Sequence, residues 1–329
     1  MNLLVADIGG TNGRFGLVDY NPQVYSSGNI NYTSAKQVTL KCAEYPDMGS
    51  MIQDCCKQLN VTPEFACIAI AGPIENGEAI MTNLNWQFSI EDLRKSLNFK
   101  TLHVINDFAA HAFAVPYQQA DEFFTLHYGK ENNHCPILVM GPGTGFGMAQ
   151  LVPNNGSWFV IPTEGGHASF APTNEKELQI KRVLLEKQNH VSVENIMSGA
   201  GLVNLYHALA TIAGVAPQDY SPADVSSKGM SNTDSICHDA VLTFCDVLGE
   251  VAGDKALSTG ARGGIVITGG IPAKLLDMIP KSNFMERYKN KGPLADYVND
   301  ITIRVVLNDK AALVGSAAWL IHNTPELKK

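Results

Sequence analysis

The hydrophobic and polar positions at the start of the chain predict a β-hairpin. Residues 5–8 and 15–18 are two short, mainly apolar runs, and the stretch Gly9-Gly10-Thr11-Asn12-Gly13 lies between them. Glycines allow the backbone to turn where a Cβ atom would clash, and they leave N–H groups open to a ligand. The hairpin therefore has two interpretations: a nest of N–H groups for the phosphates of a nucleotide, or a plain turn.

A second stretch repeats this pattern further along the chain. The apolar residues 137–140 lead into Gly141-Pro142-Gly143-Thr144-Gly145-Phe146-Gly147, and Gly10-Thr11 matches Gly143-Thr144. A repeat at such a long separation favours the phosphate-binding interpretation. It predicts two related domains, each of which presents a glycine-threonine hairpin to one shared ligand.

The rest of the chain alternates strand-like and helix-like patterns, which predicts an α/β fold. Strands are predicted at 67–71, 79–82, 102–108, 264–268 and 301–307. Helices are predicted at Met48–Leu59, 93–97, 109–115, 175–188, 202–214, 240–257 and 311–321, and another opens at Ser192-Val193-Glu194-Asn195. Further strands and turns are expected around 20–36, and a peripheral loop over 215–232.

Composition narrows the class of protein. The length of 329 residues suits about two domains, and 45% hydrophobic with 17% charged residues is typical of a globular chain. A net charge of −8, with no basic run longer than two residues, argues against nucleic acid or an anionic membrane as a partner. Neither a signal peptide nor a membrane span is predicted. Seven cysteines without a CxxC pair indicate a reducing, cytoplasmic setting.

Two carboxylates stand at the ends of predicted strands. Asp7 ends the first strand, where it could hold a hydrated Mg²⁺ ion. Asn106-Asp107 reaches the carboxyl end of the strand predicted at 102–108, the edge at which α/β sheets bind ligands. Asp107 is either a functional acid or only the cap of the following helix, and the two roles are compatible.

Three further segments are candidates for a ligand site. In Glu164-Gly165-Gly166-His167, the glycines make a tight loop that suits directing both side chains at one small ligand, although a lone histidine is more often structural. Glu194 is expected in the first turn of a helix, where it could simply favour the helix dipole. Gly269-Gly270 follows a strand and precedes a helix, which is compatible with an adenine or ribose close to the backbone. Neither GxxxxGK[ST] nor GxGxxG occurs, so a bound nucleotide requires another architecture.

Taken in order, these segments resemble the bacterial-type glucokinases of the hexokinase, Hsp70 and actin superfamily. The resemblance runs nearly end to end and rests on Asp7-Ile8-Gly9-Gly10-Thr11-Asn12, Ile105-Asn106-Asp107-Phe108, Gly141-Pro142-Gly143-Thr144-Gly145, Glu164-Gly165-Gly166-His167, Ser198-Gly199-Ala200-Gly201-Leu202-Val203-Asn204-Leu205-Tyr206 and Thr268-Gly269-Gly270-Ile271. The cysteine-rich zinc motif of the neighbouring repressor, open-reading-frame and kinase (ROK) sugar kinases is missing. Ser169-Phe170-Ala171-Pro172 stands there instead, and no structural zinc is predicted.

The resemblance implies a role for each candidate residue. Glucose would be bound by Asn106, Asp107, Glu164, His167 and Glu194, because carboxylates and amides suit the vicinal hydroxyls of a neutral sugar. Asp107 would also be the catalytic base that accepts the proton of the C6 hydroxyl as it attacks the γ-phosphorus of ATP.

The remaining candidates are assigned to ATP and its metal ion. The nucleotide would be bound by two glycine hairpins and the later glycine pair, namely Asp7, Ile8, Gly9, Gly10, Thr11, Asn12, Gly143, Thr144, Gly269 and Gly270. Asp7 would hold Mg²⁺ through a water molecule. Asn83 and Trp86 would line the sugar side.

The implied fold is a two-domain ribonuclease H-like (actin-like ATPase) α/β fold with an interdomain cleft. The small domain would comprise 1–107 plus about 308–329, and the large domain 108–307. The implied function is ATP-dependent phosphorylation of D-glucose at the 6-hydroxyl, the first step of glycolysis, by a cytoplasmic homodimer. Cleft closure around the sugar would exclude water. Two alternatives stay open: a kinase for another hexose, and a sugar- or ATP-sensing regulator on the same fold.

Overall fold

Strands and helices alternate along the chain in the computed structural model, which describes residues 1–21, 36–81 and 83–328. The strands are β1 (Asn2–Ile8), β2 (Asn12–Asp19), β3 (Lys36–Lys41), β4 (Phe65–Ile70), β5 (Ile74–Glu75), β6 (Glu78–Met81), β7 (Trp86–Ser89), β8 (Thr101–Asn106), β9 (Phe123–His127), β10 (Ile137–Pro142), β11 (Phe146–Asn154), β12 (Ser157–Thr163), β13 (Gly264–Ile267) and β14 (Ile303–Val306).

The helices match most of the predicted helical segments. They are α1 (Met48–Leu59), α2 (Ile90–Ser96), α3 (Asp107–Ala114), α4 (Glu175–Leu185), α5 (Gly199–Ile212), α6 (Pro222–Ser231), α7 (Ser235–Thr259), α8 (Gly270–Lys274), α9 (Phe284–Lys289), α10 (Ala295–Asn299) and α11 (Ala311–Asn323).

The chain divides into two compact units, Met1–Ala120 with Asn308–Lys329, and Asp121–Leu307. The sequence predicts the first boundary at 107/108, after the first residue of α3, whereas the two units divide after Ala120. Helix α3 belongs with the first unit because it packs closely on α11. A Cβ atom on Gly315 of α11 would lie only 1.8 Å from the carbonyl oxygen of Ala110 in α3.

The first unit contains a five-stranded sheet in the order β3-β2-β1-β4-β8. β1 pairs antiparallel with β2 and parallel with β4, and β4 pairs parallel with β8. Alternate residues of β1 face opposite sides, so that Leu4 packs in the core with α1 and Leu3 packs in the core with α11. β1 is therefore buried on both faces, and its carboxyl end, with Asp7, is held rigidly.

The second unit contains a six-stranded sheet in the order β12-β11-β10-β13-β14-β9. β10 pairs antiparallel with β11 and parallel with β13, which pairs parallel with β14. Over five strands this is the same arrangement as in the first unit. The two glycine-rich turns, between β1 and β2 and between β10 and β11, occupy equivalent positions, as the sequence repeat predicts.

Two predicted elements are wrong, and a third prediction falls largely outside the described residues. Residues 192–197 form turns rather than a helix, and α5 begins only at Gly199 with Ser198 as its N-cap. The expected loop over 215–232 contains α6, which begins with a capping box of Ser221 and Asp224. Most of the stretch 20–36, and Thr82 at the end of the predicted strand 79–82, lie outside the described residues.

Two further observations concern the whole described chain. All seven cysteines are free, and Cys67 is fully buried in β4, as its apolar surroundings predict. Within 1–21, 36–81 and 83–328, no helix combines the length and apolarity that crossing a bilayer requires.

Candidate active site

The turn between β1 and β2 is held in place by its own hydrogen bond and by the segment after β3. The Gly9 N–H donates to the Asn12 carbonyl at 3.0 Å, and the Cys42 N–H donates to the Thr11 carbonyl at 2.9 Å. The Cys42 thiol also donates to the Gly9 carbonyl at 3.4 Å. The N–H of Gly9 is thus engaged within the turn, contrary to the expectation that it is open to a ligand. The side chains of Thr11 and Asn12 are exposed.

Asn83 contacts this turn directly, whereas Trp86 is mostly buried. A Cβ atom on Gly10 would lie 3.2 Å from the Cβ of Asn83, so the asparagine side chain packs on the glycine turn. Trp86 is only 7% exposed and belongs to the core around α1. Asn83 is thus a neighbour of the first hairpin, and the role of both residues at a sugar site stays a prediction.

Asp7 is half-buried at the carboxyl end of β1, opposite Arg14 of β2. It also acts electrostatically on His111 of α3. Burial, the largest effect, lowers the pKa of His111, the Asp7 charge raises it and the Arg14 charge lowers it, and the net direction is down. His111 is thus favoured in its neutral form beside Asp7.

The surroundings of Asp7 fit Mg²⁺ that is bound together with a nucleotide. No group of three or more His, Cys, Asp or Glu side chains that could hold a metal ion occurs in the part of the chain that the structure describes. Mg²⁺ does not need such a cage, because one or two carboxylates, waters and substrate phosphates commonly complete its octahedron. A single half-buried carboxylate beside a glycine turn meets that requirement.

Asn106 and Asp107 lie at the same edge of the first sheet as Asp7. β8 is separated from β1 by β4 alone, and the register places Ile8 opposite Ile70 and Ile70 opposite Asn106. Two strand spacings correspond to about 10 Å. The structure therefore brings Asn106-Asp107 and the first glycine turn to neighbouring positions at the carboxyl ends of parallel strands.

The capping role that the sequence left open for Asp107 belongs mainly to Asn106. The Asn106 Oδ1 accepts hydrogen bonds from the backbone N–H groups of Phe108 at 2.9 Å and Ala109 at 3.2 Å. Asp107 is the first residue of α3, and its Oδ1 accepts the same Phe108 N–H at 2.9 Å. Asn106 thus accepts the free N–H groups at the start of α3, and the Phe108 N–H orients the Asp107 carboxylate.

In the second unit, the hairpin turn 141–146 packs backbone-to-backbone on the Thr268-Gly269 segment. A Cβ atom on Gly141 would lie 1.7 Å from the Thr268 carbonyl oxygen. Gly269 has a φ of +100°, and a Cβ atom there would lie 2.5 Å from the Pro142 carbonyl oxygen. Only glycine satisfies both positions. A Cβ atom on Gly143 or Gly270 would meet no atom within 4 Å, so there is room for a ligand beside both residues.

Glu164 and His167 flank one short 3₁₀ turn and present their side chains to solvent. Their side chains are 71% and 62% exposed, and the His167 Nε2 lies 4.0 Å from the Glu164 Oε2. A Cβ atom on Gly166 would lie 2.1 Å from the Phe146 carbonyl oxygen, so the loop sits against the start of β11. The geometry matches the predicted tight loop that directs both side chains to one side.

Glu194 joins this loop to the second hairpin. Its backbone N–H donates to the Gly166 carbonyl at 2.9 Å, and its Oε2 accepts the Phe146 N–H at 2.8 Å. The prediction of Glu194 in a helical first turn is wrong, because residues 192–197 form turns and α5 begins only at Gly199. Gly145 and Phe146 are further neighbours of this carboxylate, and no local sequence pattern marks them.

Comparison with known proteins identifies the family. A family model described as Glucokinase matches residues 4–323. The chain belongs to the glucokinase family. Glucokinase of Saccharophagus degradans is 38% identical over 318 residues, which cover 96% of this chain and 97% of the relative. The crystal structure of a glucokinase from an Antarctic psychrotroph is 35% identical and superposes with a TM-score of 0.85, over 98% of this chain and 99% of that one.

A more distant solved structure extends the likeness of the fold. A ROK family glucokinase from Streptomyces griseus, in complex with glucose and AMPPNP, is 17% identical and has a TM-score of 0.66, with 98% of this chain and all of that chain covered (100%). Glucokinases and ROK sugar kinases have the actin-like ATPase fold. The predicted family and the predicted fold class are therefore confirmed.

Proposed function

We propose that this glucokinase-family chain transfers the γ-phosphoryl group of ATP to the 6-hydroxyl of D-glucose, with glucose 6-phosphate and ADP as products. The observation that carries the proposal is the junction at Glu194, where a loop with two exposed polar side chains, Glu164 and His167, is bonded to a glycine-threonine hairpin. A sugar-type site and a phosphate-type site thus share one carboxylate. The ROK family glucokinase with the same fold was crystallised with glucose and AMPPNP.

Glucose is bound by Asn106, Asp107, Glu164, His167 and Glu194. Carboxylate oxygens accept hydrogen bonds from sugar hydroxyls, and one carboxylate accepts from two neighbouring hydroxyls when its oxygens are fixed in orientation. Phe108 N–H fixes an Asp107 oxygen, and Phe146 N–H fixes a Glu194 oxygen. These two carboxylates are therefore pre-oriented, whereas Glu164 and His167 are more exposed and adjust to the sugar.

Asp107 is the general base. The O6 oxygen of glucose forms a bond to the γ-phosphorus while the bond from that phosphorus to the β–γ bridging oxygen breaks, and ADP leaves with the bond's electron pair. The O6 proton passes to the Asp107 carboxylate as the new bond forms. Asn106 supplies the principal cap of α3, so the role of Asp107 does not reduce to capping the helix end.

ATP is bound by Asp7, Ile8, Gly9, Gly10, Thr11, Asn12, Gly143, Thr144, Gly269 and Gly270. The open space beside Gly143 and Gly270 admits the nucleotide close to the backbone. Asp7 would hold Mg²⁺ through a water, and the ion would neutralise charge on the β- and γ-phosphate oxygens. We also propose a cytoplasmic homodimer. The seven free cysteines support the location, and the family resemblance supports the dimer.

The test is a coupled assay of ADP release with ATP and Mg²⁺ against glucose, fructose, mannose and N-acetylglucosamine. Turnover that is strongest with glucose, and that yields glucose 6-phosphate, supports the proposal. Fast turnover with another of these sugars would replace glucose by that hexose. Slow ATP hydrolysis that does not depend on the sugar would favour a sensor on the same fold. Light scattering on a sizing column measures the oligomeric state.

A further inference from the structure

Glu194 bonds to two loops at once, with different atoms. Its backbone N–H holds the Gly166 carbonyl of the loop that carries Glu164 and His167, at 2.9 Å. Its side-chain Oε2 holds the Phe146 N–H, at 2.8 Å, where the turn with Gly143 and Thr144 ends. We infer that Glu194, besides binding glucose, is a positioning residue for the phosphate hairpin, so that glucose and nucleotide strengthen each other's binding. This inference rests on the proposed function.

The contact between the carboxylate and the hairpin leaves little room for movement. A Cβ atom on Gly145 would lie 2.5 Å from the Glu194 Oε2, so the carboxylate lies directly against the backbone at the tip of the turn. The Oε1 oxygen is further away, at 3.9 Å from the same point. One oxygen is thus committed to the hairpin, and the other faces away from it, where a sugar hydroxyl can donate.

The segment that follows Glu194 holds the other side of the same turn. The Gly199 N–H donates to the Gly143 carbonyl at 2.9 Å. The Ser198 hydroxyl donates to the Glu194 carbonyl at 2.8 Å and accepts the Gly201 N–H at 2.9 Å. Residues 194–199 therefore clamp the turn at Gly143 and at Phe146, and the start of α5 anchors the clamp.

This arrangement gives the two ligands a common dependence. Glucose requires the Glu194 carboxylate in one orientation, and the hydrogen bond from Phe146 selects an orientation of that carboxylate. The nucleotide phosphates require the hairpin in one position, and the same bond selects the position. The bond involves an ionised acceptor, which makes it roughly twice as strong as a neutral one. Each ligand therefore stabilises the same bond between Glu194 and Phe146, and the second ligand binds to a site that the first has already stabilised.

The test measures binding without turnover. Isothermal titration calorimetry with AMPPNP and Mg²⁺, with and without saturating glucose, gives the nucleotide affinity in both states. The wild type is expected to bind AMPPNP at least about 5-fold more tightly with glucose, and to bind glucose more tightly by the same factor with AMPPNP, because coupling between sites is reciprocal.

Three variants separate positioning from simple sugar binding. Glu194→Gln keeps the side-chain shape and an oxygen that can accept the Phe146 N–H, but it loses the charge that strengthens this bond, so we expect weaker AMPPNP binding without any sugar and a smaller enhancement. Glu164→Gln is the matched control: it weakens glucose binding but keeps both the sugar-free AMPPNP affinity and the enhancement at saturating glucose. Gly145→Ala lies in the hairpin, yet its Cβ displaces the Glu194 carboxylate, and it is expected to weaken glucose binding without nucleotide.

The outcomes are distinguishable. If Glu194→Gln behaves like Glu164→Gln, Glu194 only binds sugar and the inference is overturned. A wild type that binds both ligands without mutual enhancement overturns the coupling but not the proposed function. A wild type that binds neither ligand overturns both. Melting temperatures verify that each variant is folded, and if Gly145→Ala fails to fold, the comparison of the two glutamine variants decides alone.

Discussion

Asp107 is the residue on which the proposed reaction depends most. The change to asparagine keeps an Oδ1 oxygen that accepts the Phe108 N–H, so the start of α3 stays intact. The amide cannot accept the O6 proton, and removal of a general base typically costs about 10²–10⁴-fold in rate. We expect Asp107→Asn to melt within a few degrees of the wild type, to bind glucose, and to lose turnover by that factor in the ADP-release assay.

The control for this prediction is Asn106→Ala, which removes the principal cap instead of the base. Loss of a cap costs about 0.5–2 kcal/mol of stability. This variant should therefore show a lower melting temperature, whereas Asp107→Asn should not. Turnover at the wild-type rate in Asp107→Asn would show that another group accepts the proton.

For single residues, the sequence predicts which side chains are candidates for the site better than it predicts the backbone conformation around them. Glu164 and His167 lie as the double glycine indicates, but Glu194 is not in a helix. The Asn195 Oδ1 accepts the N–H of Ser192 at 2.8 Å, and the Asn195 N–H donates to the Ser192 hydroxyl at 3.2 Å. The same reciprocal pair of bonds begins α6, so the local pattern is that of a helix start, yet residues 194–197 form only turns. The hydrogen bond from the Glu194 N–H to the Gly166 carbonyl joins two separate segments of the chain. A short stretch of sequence therefore cannot predict it.

Among the elements, the pair α3 and α11 determines where Asp107 lies. Gly315→Ala would place a Cβ atom 1.8 Å from the Ala110 carbonyl oxygen, which is rigid backbone. The helices must separate, and overpacking of this kind typically costs about 1–3 kcal/mol. Because α3 begins at Asp107, we expect both the melting temperature and the turnover with glucose to fall.

A second helical glycine provides the matched control. In α1, a Cβ atom on Gly49 would make only ordinary contacts, the nearest at 3.4 Å. Alanine is the better helix former, so Gly49→Ala should keep or raise the melting temperature and leave turnover unchanged. Equal behaviour of the two variants would mean that Gly315 is not needed for the approach of α3 to α11.

Three helices of the second unit meet at a buried group of charges around Arg287. The Arg287 Nη1 lies 2.7 Å from the Glu177 Oε1, and its Nε lies 2.9 Å from the Glu250 Oε2. The side chains of Arg287 and Glu177 are 11% and 2% exposed. We expect Arg287→Met to destabilise the protein by about 3–5 kcal/mol, because two buried carboxylates lose a partner. Chemical denaturation measures this loss.

An exposed pair shows what ion pairing contributes when water screens it. Lys95 lies 3.3 Å from Glu91 on α2, and both side chains are more than half exposed. Lys95→Met should change the free energy of unfolding by less than about 1 kcal/mol. A comparably small effect of Arg287→Met would mean that water reaches Glu177 and Glu250 once the arginine is removed.

Most helices and strands are predictable from the periodicity of apolar residues, and the sequence also contains a signal for α6, which the polar pattern hides. α1 and its bounds follow from the spacing of apolar residues, and Ser89 caps α2. The polar sequence of α6 predicts a loop, which is wrong. Ser221 followed by Pro222 and then Asp224 is nevertheless a capping box with proline in the first turn, which is a sequence signature of a helix start.

For the whole molecule, the repeated hairpin was the most informative pattern. It predicts two glycine-rich hairpins in related domains. In the structure these hairpins lie at equivalent places in two sheets that share one arrangement over five strands. The repeat does not predict that the first unit extends beyond α3, because the close approach of Gly315 to Ala110 joins segments about 200 residues apart. The local sequence pattern predicts that a helix exists, but it does not predict which distant helix packs against it.

The stability of the molecule should fall on mild acidification. Burial lowers the pKa of His103 in β8, and burial followed by the Lys328 charge lowers the pKa of His322 in α11. Their folded pKa values lie below the ordinary value of about 6.5, so around and below that pH the unfolded chain binds more protons than the folded one. The stabilisation from these neutral histidines is complete above the unfolded pKa and is lost as the pH falls through it. We therefore expect a lower melting temperature at pH 5.5 than at pH 7.5.

Replacing one buried histidine tests the assignment. His103 Nε2 lies 3.2 Å from the Thr324 hydroxyl, and a glutamine amide can keep a hydrogen bond there without taking up a proton. His103→Gln should show a smaller acid-induced drop in melting temperature than the wild type. His134 is exposed, and His134→Gln should show the full drop. If both variants lose as much as the wild type between the two pH values, protonation of His103 costs the folded state nothing, and other groups such as His322, His111 or carboxylates cause the acid sensitivity.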